Sequence, residues 1–257
     1  MIHPHTLQFE CTGHGEALVL VHGLGGSSNT FQSLMHRLGN FMVMRPDLPG
    51  CARSSTPEET LSIADMATSL LALLHAHGLS RFHLVGHSMG SLVAQCVAIH
   101  APESVATLTM LGGITEPPQP ARNGLLARAE TARSKGMQGI ADQIIAATLS
   151  PHTLEHVSTA VAFVRESVMR QHPEGYAKCC EAVAHHQGID YRKIAAPTLL
   201  MTGDCDPVAP VSMAQQLCDA IPNAQLSVVH DCGHWLPVEQ AKTCAMQLET
   251  FLLNHPI

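Results

Sequence analysis

Short apolar runs recur at residues 17–21, 41–44, 82–85, 105–111, 198–201 and 226–229, and between them lie stretches with helical periodicity. That alternation constrains the fold more than any other feature of the chain. Runs dominated by Val, Leu and Met, with only an isolated His, Thr or Ser among them, read as strands buried on both faces, which calls for helices on both sides of a parallel sheet. Helical patterns fill 30–38, 62–77, 89–100, 211–220 and 239–253, and Gly78 is a stop signal after His77. A short strand near 6–11 precedes the first run, so the leading edge of the sheet is expected to be abbreviated. The expected class is α/β: a mostly parallel twisted sheet with helices on both faces.

The rhythm breaks between Glu116 and Tyr191. Pro117, Pro118 and Pro120 open this segment, and helical patterns without strand partners follow at 122–134, 139–148, 153–171 and 174–186. An all-helical insertion in a parallel α/β domain is usually a lid over the functional edge of the sheet. The expected division is a core of residues 1–115 and 192–257, with residues 116–191 as a helical lid, or cap.

At 257 residues the chain can form one α/β domain with a sizeable core. Its 46% apolar and 14% charged content excludes a disordered chain. With 14 Lys+Arg against 21 Asp+Glu the net charge is −7, and no basic cluster is present, which argues against a nucleic-acid partner. No apolar stretch reaches the roughly 18 residues of a membrane span, and the first residues lack the basic start and apolar run of a secretion signal. Nine cysteines without C-x-x-C spacing, two of them the adjacent Cys179 and Cys180, read as reduced thiols packed as small hydrophobes in a cytoplasm. The 18 histidines form no metal-ligand pattern: His75 and His77 diverge on a helix, and His3 and His5, on one strand face, have no further ligands nearby.

Gly86-His87-Ser88-Met89-Gly90 falls between the run 82–85 and the helical pattern 89–100. A G-x-S-x-G match is weak alone, but between a buried strand and a buried helix it is a nucleophile elbow. Ser88 then sits on a tight turn that exposes its hydroxyl, and Gly86 and Gly90 avoid collisions across that turn. Upstream, His22-Gly23-Leu24-Gly25-Gly26 follows the run 17–21. In this geometry the backbone N–H groups of Leu24 and Met89 are the expected donors to a tetrahedral oxyanion. A serine nucleophile needs a base and an orienting acid. The base candidate is His234, after the last strand; the acid candidates are Asp204 and Asp206, after the run 198–201. Spacing alone leaves both acids open.

These motifs resemble the α/β-hydrolase superfamily over essentially the whole chain. Asp47-Leu48-Pro49-Gly50-Cys51-Ala52-Arg53-Ser54-Ser55 is similar to the family's D-x-x-G-x-G-x-S turn, with Ala52 in place of a glycine. The stretch 203–210 matches G-x-x-D-x-x-x-P with Asp206 at the acid position, and Gly233-His234 matches the catalytic-histidine loop. The resemblance therefore selects Asp206. Ser88 argues against dehalogenases and epoxide hydrolases, whose nucleophile is Asp. Residues 172–180 and 194–198 resemble 3-oxoadipate enol-lactonases and related small serine esterases. Gly233-His234-Trp235 is instead similar to meta-cleavage C–C hydrolases, and Trp235 is a candidate substrate contact. Those enzymes usually carry Asn where this chain has His87, and a different oxyanion loop.

The resemblance implies a serine hydrolase acting through an acyl-Ser88 intermediate, with lactonase leading and general carboxylesterase or C–C hydrolase as alternatives. A slow-turnover small-molecule receptor, which some members of the fold have become, is the reading from a different class. Triad chemistry implies no metal and no organic cofactor. The expected ligand is a small ester or lactone, such as an enol-lactone from aromatic catabolism, bound by a monomer or small homo-oligomer. Seven cations of the insertion, Arg122, Arg128, Arg133, Lys135, Arg165, Arg170 and Lys178, offer a clamp for a substrate carboxylate. The sequence does not tell which one faces inward.

Overall fold

A computed structural model describes residues 7–257. Strands β1 (Phe9–Thr12), β2 (Glu16–Val21), β3 (Phe41–Pro46), β4 (Phe82–His87), β5 (Val105–Leu111), β6 (Thr198–Gly203) and β7 (Ala224–Val229) form one sheet in the order β1-β3-β2-β4-β5-β6-β7. Only β1 runs antiparallel, along β3 at the edge. The expected leading strand is thus real but begins later; Thr6, where it was expected to start, and His3 and His5 lie outside the described residues.

Every residue of β4 and β6 is buried, including His83, Thr198 and Thr202, and the Leu, Val and Met between them give both strands their apolar signature. Helices α1 (Ile63–Ala76) and α2 (Met89–His100) join one face in a core around Leu70, Leu92 and Val97. On the other face Phe31 and Leu34, together with Leu248 of the C-terminal helix, pack on Leu20 and Val85. Ser62 caps α1 by accepting from the Asp65 N–H, while the Asp65 carboxylate accepts from the Ser62 N–H.

The register aligns the strand ends. Val21 lies beside Gly86, His87 beside Leu111, Leu111 beside Met201, and Gly203 beside Val229. The loops that follow these strands therefore emerge along one edge. From β2 the chain goes outward to β3, then returns to β4 on the opposite side of β2. Such a reversal opens a crevice at the carboxyl ends of the flanking strands.

Between β5 and β6 the chain forms α3 (Gln119–Lys135), α4 (Gln138–Thr148), α5 (Pro151–His156), α6 (Ser158–Met169) and α7 (Pro173–Ala184). They share a core of Ala132, Ile140, Val164, Tyr176 and Trp235. Three elements differ from expectation. Residues 30–38 form a 3₁₀ segment, Ser28–Arg37, instead of an α-helix; its Ser, Asn and Thr side chains compete for the backbone groups an α-helix would use. The single helix expected over 153–171 breaks at Val157, whose φ of −123° and ψ of 63° are not helical. The last helix, α10 (Ala241–Leu253), starts two residues later than expected, and a short helix α9 (Leu236–Glu239) precedes it across Gln240; α8 (Val211–Ala220) completes the outer helices.

One buried charge ties this frame together. The Asp47 side chain is fully buried and accepts from the Ser28 N–H at 2.6 Å and Arg53 Nε at 2.7 Å. Burial raises its carboxyl, but the Ser28 and Arg53 donors outweigh burial and hold it below the usual carboxylate range. A depressed carboxyl stabilises the fold above its unfolded value and loses that contribution as pH falls through the folded value. Arg53 is 42% exposed, so screening discounts the ion pair and the backbone bond carries most of the effect. Asp47→Asn is expected to lower unfolding free energy by about 1–3 kcal/mol at pH 7. The gap from wild type should close as pH drops below about 4. Urea titrations of both proteins at several pH values measure this; a gap that does not change with pH contradicts it.

Candidate active site

Strand β4 passes into α2 through Ser88 alone. Ser88 has φ 52° and ψ −119°, a strained conformation for a residue with a side chain. The turn leaves no room at its flanks. A Cβ on Gly86 would lie 2.3 Å from the Gly90 carbonyl oxygen, and one on Gly90 would lie 2.2 Å from that of Val21. Ser88 N–H donates to the Leu111 carbonyl at 3.1 Å, which anchors the elbow to β5.

His234 meets Ser88 from the loop after β7. Its Nε2 is 2.7 Å from Ser88 Oγ, and its Nδ1 is 2.7 Å from Asp206 Oδ2. Asp206 Oδ1 accepts from the N–H groups of Val208 and Ala209 at 2.8 and 2.9 Å, which orients the carboxylate. Burial raises the Asp206 carboxyl, but the His234 ring and these two N–H groups outweigh it and hold it low. Asp204 lies apart: it accepts from the Cys232 N–H at 3.3 Å and pairs with His230 at 3.1 Å. Gly112, at φ 55°, passes beside the His–Asp pair, where a Cβ would sit 3.1 Å from His234 Nδ1.

Leu24 and Met89 both line the cavity next to Ser88. The Met89 N–H opens α2 and is one of the donors a helix start leaves without an intrahelical partner. The loop carrying Leu24 is held by His22. Leu48 N–H donates to His22 Nε2 at 3.0 Å, so the ring proton sits on Nδ1 and donates to the Gly23 carbonyl at 2.8 Å. Burial lowers the His22 pKa and keeps the ring neutral. His87, inside the elbow, donates through Nε2 to the His234 carbonyl at 2.8 Å. Burial, then the neighbouring His234, lowers its pKa to about 3.

The cavity over Ser88 measures about 470 Å³. Its walls are mainly apolar, with Ile114, Leu125, Ile144, Val183 and Met213 among them. Trp235 is buried and lines it, its ring 5.7 Å from that of His87. Of the seven cations of the insertion, Arg128 alone lines this cavity. Arg122, Arg133 and Arg165 are paired with Glu116, with Glu174 and Glu181, and with Asp142. Lys178 donates to the carbonyls of Pro57, Glu58 and Glu59. Among the described residues no carboxylate pairs with Arg128. Tyr176 also lines the cavity, and its buried hydroxyl has no hydrogen-bond partner among the described residues; burial pushes this phenol up, and Arg128 is close enough to oppose that rise.

Sequence reasoning missed Arg128 as the inward cation, the anchoring role of His22, and Glu239, which grips the His234 loop through the Gly233 and Trp235 N–H groups. An acid five residues after the histidine was the only signal for Glu239. All nine cysteines are free, with Cys51 and Cys179 Sγ atoms 3.5 Å apart. Among the described residues no group of three His, Cys, Asp or Glu is placed to hold a metal, and no helix is long and apolar enough to cross a membrane.

Residues 16–241 match the family model for the alpha/beta hydrolase fold, and the chain belongs to that family. It is 29% identical to 3-oxoadipate enol-lactonase 2 of Acinetobacter baylyi over 226 residues, 87% of this chain and 84% of the relative. It is 28% identical to a 2-hydroxy-6-oxononadienedioate/2-hydroxy-6-oxononatrienedioate hydrolase of Paraburkholderia phymatum over 261 residues, 96% of this chain and 90% of that one. A thermophilic esterase from Thermogutta terrifontis, solved with malate bound, superposes with a TM-score of 0.93 at 27% identity, over 97% of this chain and 94% of the esterase. These similarities make the chain a hydrolase; they leave its substrate open.

Proposed function

We propose that the chain is a serine hydrolase that opens a small, carboxylate-bearing lactone through an acyl-Ser88 intermediate. The observation that carries this is the line of contacts from Ser88 Oγ through the His234 ring to Asp206, 2.7 Å at each step, at the floor of an apolar cavity. Ser88 Oγ attacks the lactone carbonyl as His234 Nε2 takes its proton. Asp206 holds the Nδ1–H tautomer and stabilises the imidazolium. The Leu24 and Met89 N–H groups receive the negative charge that develops on the carbonyl oxygen. His234 then protonates the leaving oxygen, which stays tethered because the substrate is a ring. Water attacks the acyl-Ser88 ester with His234 again as base, and the acid is released.

Residues 116–191 act in this reading as the lid, and Arg128 as the carboxylate anchor. An arginine that lines an apolar cavity of an overall acidic protein and has no carboxylate partner among the described residues is a natural counter-ion for an anionic ligand. Malate, bound by the similar esterase, is itself a small dicarboxylate. Gly233-His234-Trp235 and the Paraburkholderia relative favour C–C hydrolysis as a second reading. Assaying a vinylogous 1,5-diketone beside an enol-lactone separates the two, and faster cleavage of the diketone would replace the lactonase reading.

Ser88→Ala is expected to cut turnover by several orders of magnitude, since a triad acts as a unit. Retention of more than about a tenth of wild-type turnover, a loss under roughly 1.4 kcal/mol of barrier, rules the mechanism out. For the acid, Asp206→Asn should cost far more activity than Asp204→Asn when both variants are folded; the reverse order would move the role to Asp204. Sustained hydrolysis of a nitrophenyl ester, against a single slow burst, separates enzyme from receptor. For the anchor, specificity constants are compared for a free-acid lactone and its methyl ester. The free acid should be preferred in wild type, with the preference lost in Arg128→Leu; a clear wild-type preference for the ester makes the protein a general carboxylesterase.

A further inference from the structure

Glu239, the last residue of α9, is buried and lies outside the cavity lining. Its Oε1 accepts from the Trp235 N–H at 2.9 Å; its Oε2 accepts from the Gly233 N–H at 3.0 Å, the Ser150 N–H at 2.8 Å and Thr153 Oγ1 at 2.9 Å. Ionised carboxylates only accept, and all four facing groups are donors. Two donors are the residues on either side of His234. The other two belong to the junction of α4 and α5 in the inserted helices.

Further bonds join the same two segments. His234 N–H donates to the Thr148 carbonyl at 2.8 Å, and Ser150 Oγ donates to the Asp231 carbonyl at 2.9 Å. The approach is so close that a Cβ on Gly233 would lie 2.3 Å from the Thr148 carbonyl oxygen. The backbone that aims His234 is thus mounted on the insertion as well as on the sheet.

We propose that Glu239 is a positioning residue for His234, fixing the histidine loop to the α4–α5 junction so that the insertion and the general base hold one another in place. This rests on the reading of His234 as the base. A base whose position must hold to within about half an ångström of the productive geometry loses rate steeply when its mount loosens, while substrate affinity is set elsewhere.

The test measures turnover and the rate at which a fluorophosphonate labels Ser88, in wild type, Glu239→Gln, Thr153→Val and Thr153→Ser. Glu239→Gln turns a donor toward donors. Thr153→Val removes one donor from the insertion side at nearly constant volume, and Thr153→Ser restores the hydroxyl. Folded Glu239→Gln and Thr153→Val should lose about tenfold or more in kcat and in labelling rate, with KM within about twofold, and Thr153→Ser should recover most of the loss. A merely structural role lowers the melting temperature and leaves both rates unchanged below it. Folded variants that label as fast as wild type overturn the proposal, and if Glu239→Gln does not fold, Thr153→Val decides. Amide hydrogen exchange on wild type gives a check that needs no variant: Gly233 and Trp235 should exchange together with Ser150, and much faster independent exchange also overturns it. A wild type that neither labels nor hydrolyses any ester fails the hydrolase reading instead.

Discussion

The placement of Ser88 on a one-residue passage from β4 to α2 governs the geometry of everything around it. With φ at 52° the side chain is thrust away from the sheet, and the turn survives only because its neighbours leave it nowhere to relax. Gly90 presses on the carbonyls of Val21 and His22, Gly86 on Gly90, and the Ser88 N–H is held by Leu111. Each contact depends on the parallel register of β2, β4 and β5. The strain at one serine is therefore sustained by the most buried part of the sheet. The same register brings the loops bearing Leu24, Asp206 and His234 to the edge where the serine emerges.

Much of this was legible in the chain. Strands buried on both faces are dominated by apolar residues, so β2, β4, β5 and β6 announce themselves despite His83, Thr107 and Thr109 among them, and the elbow is legible because few other residues tolerate such a turn. The acid was harder. Asp204 and Asp206 both follow β6, and their difference lies in which backbone N–H groups each one finds: Val208 and Ala209 for one, Cys232 for the other. Local spacing cannot encode that choice; the family resemblance made it. The break at Val157 was missed because the helical pattern on either side of it looks continuous.

Arg128 and Glu239 were hidden for a different reason. Arg128 is one of seven cations with no local mark, and its place in the cavity lining follows from how α3 packs against α7 and α4. Glu239 reads as an ordinary acid at a helix end, and its partners Ser150 and Thr153 are 89 and 86 residues away. Long-range partners chosen by tertiary packing leave no periodicity to detect. What can be read in advance is the acceptor itself: a buried carboxylate must be satisfied, so an acid in an otherwise apolar stretch asks what it binds.

Three buried histidines surround the elbow, and their partners separate their roles. His22 spends both nitrogens on the backbone, donating to Gly23 and accepting from Leu48. His87 donates to the His234 carbonyl, and burial leaves it neutral far below physiological pH. Neither ring is hydrogen-bonded to a carboxylate, and burial outweighs the nearby Asp47 and Asp206 charges, so both stay neutral. His234 has Asp206 on one nitrogen and the Ser88 hydroxyl on the other. Identical side chains within one small volume are thereby divided into two neutral struts and one ring prepared to carry a proton. The division needs a single buried carboxylate, and the apolar walls that make the other two sites hostile to charge strengthen the pairing at this one.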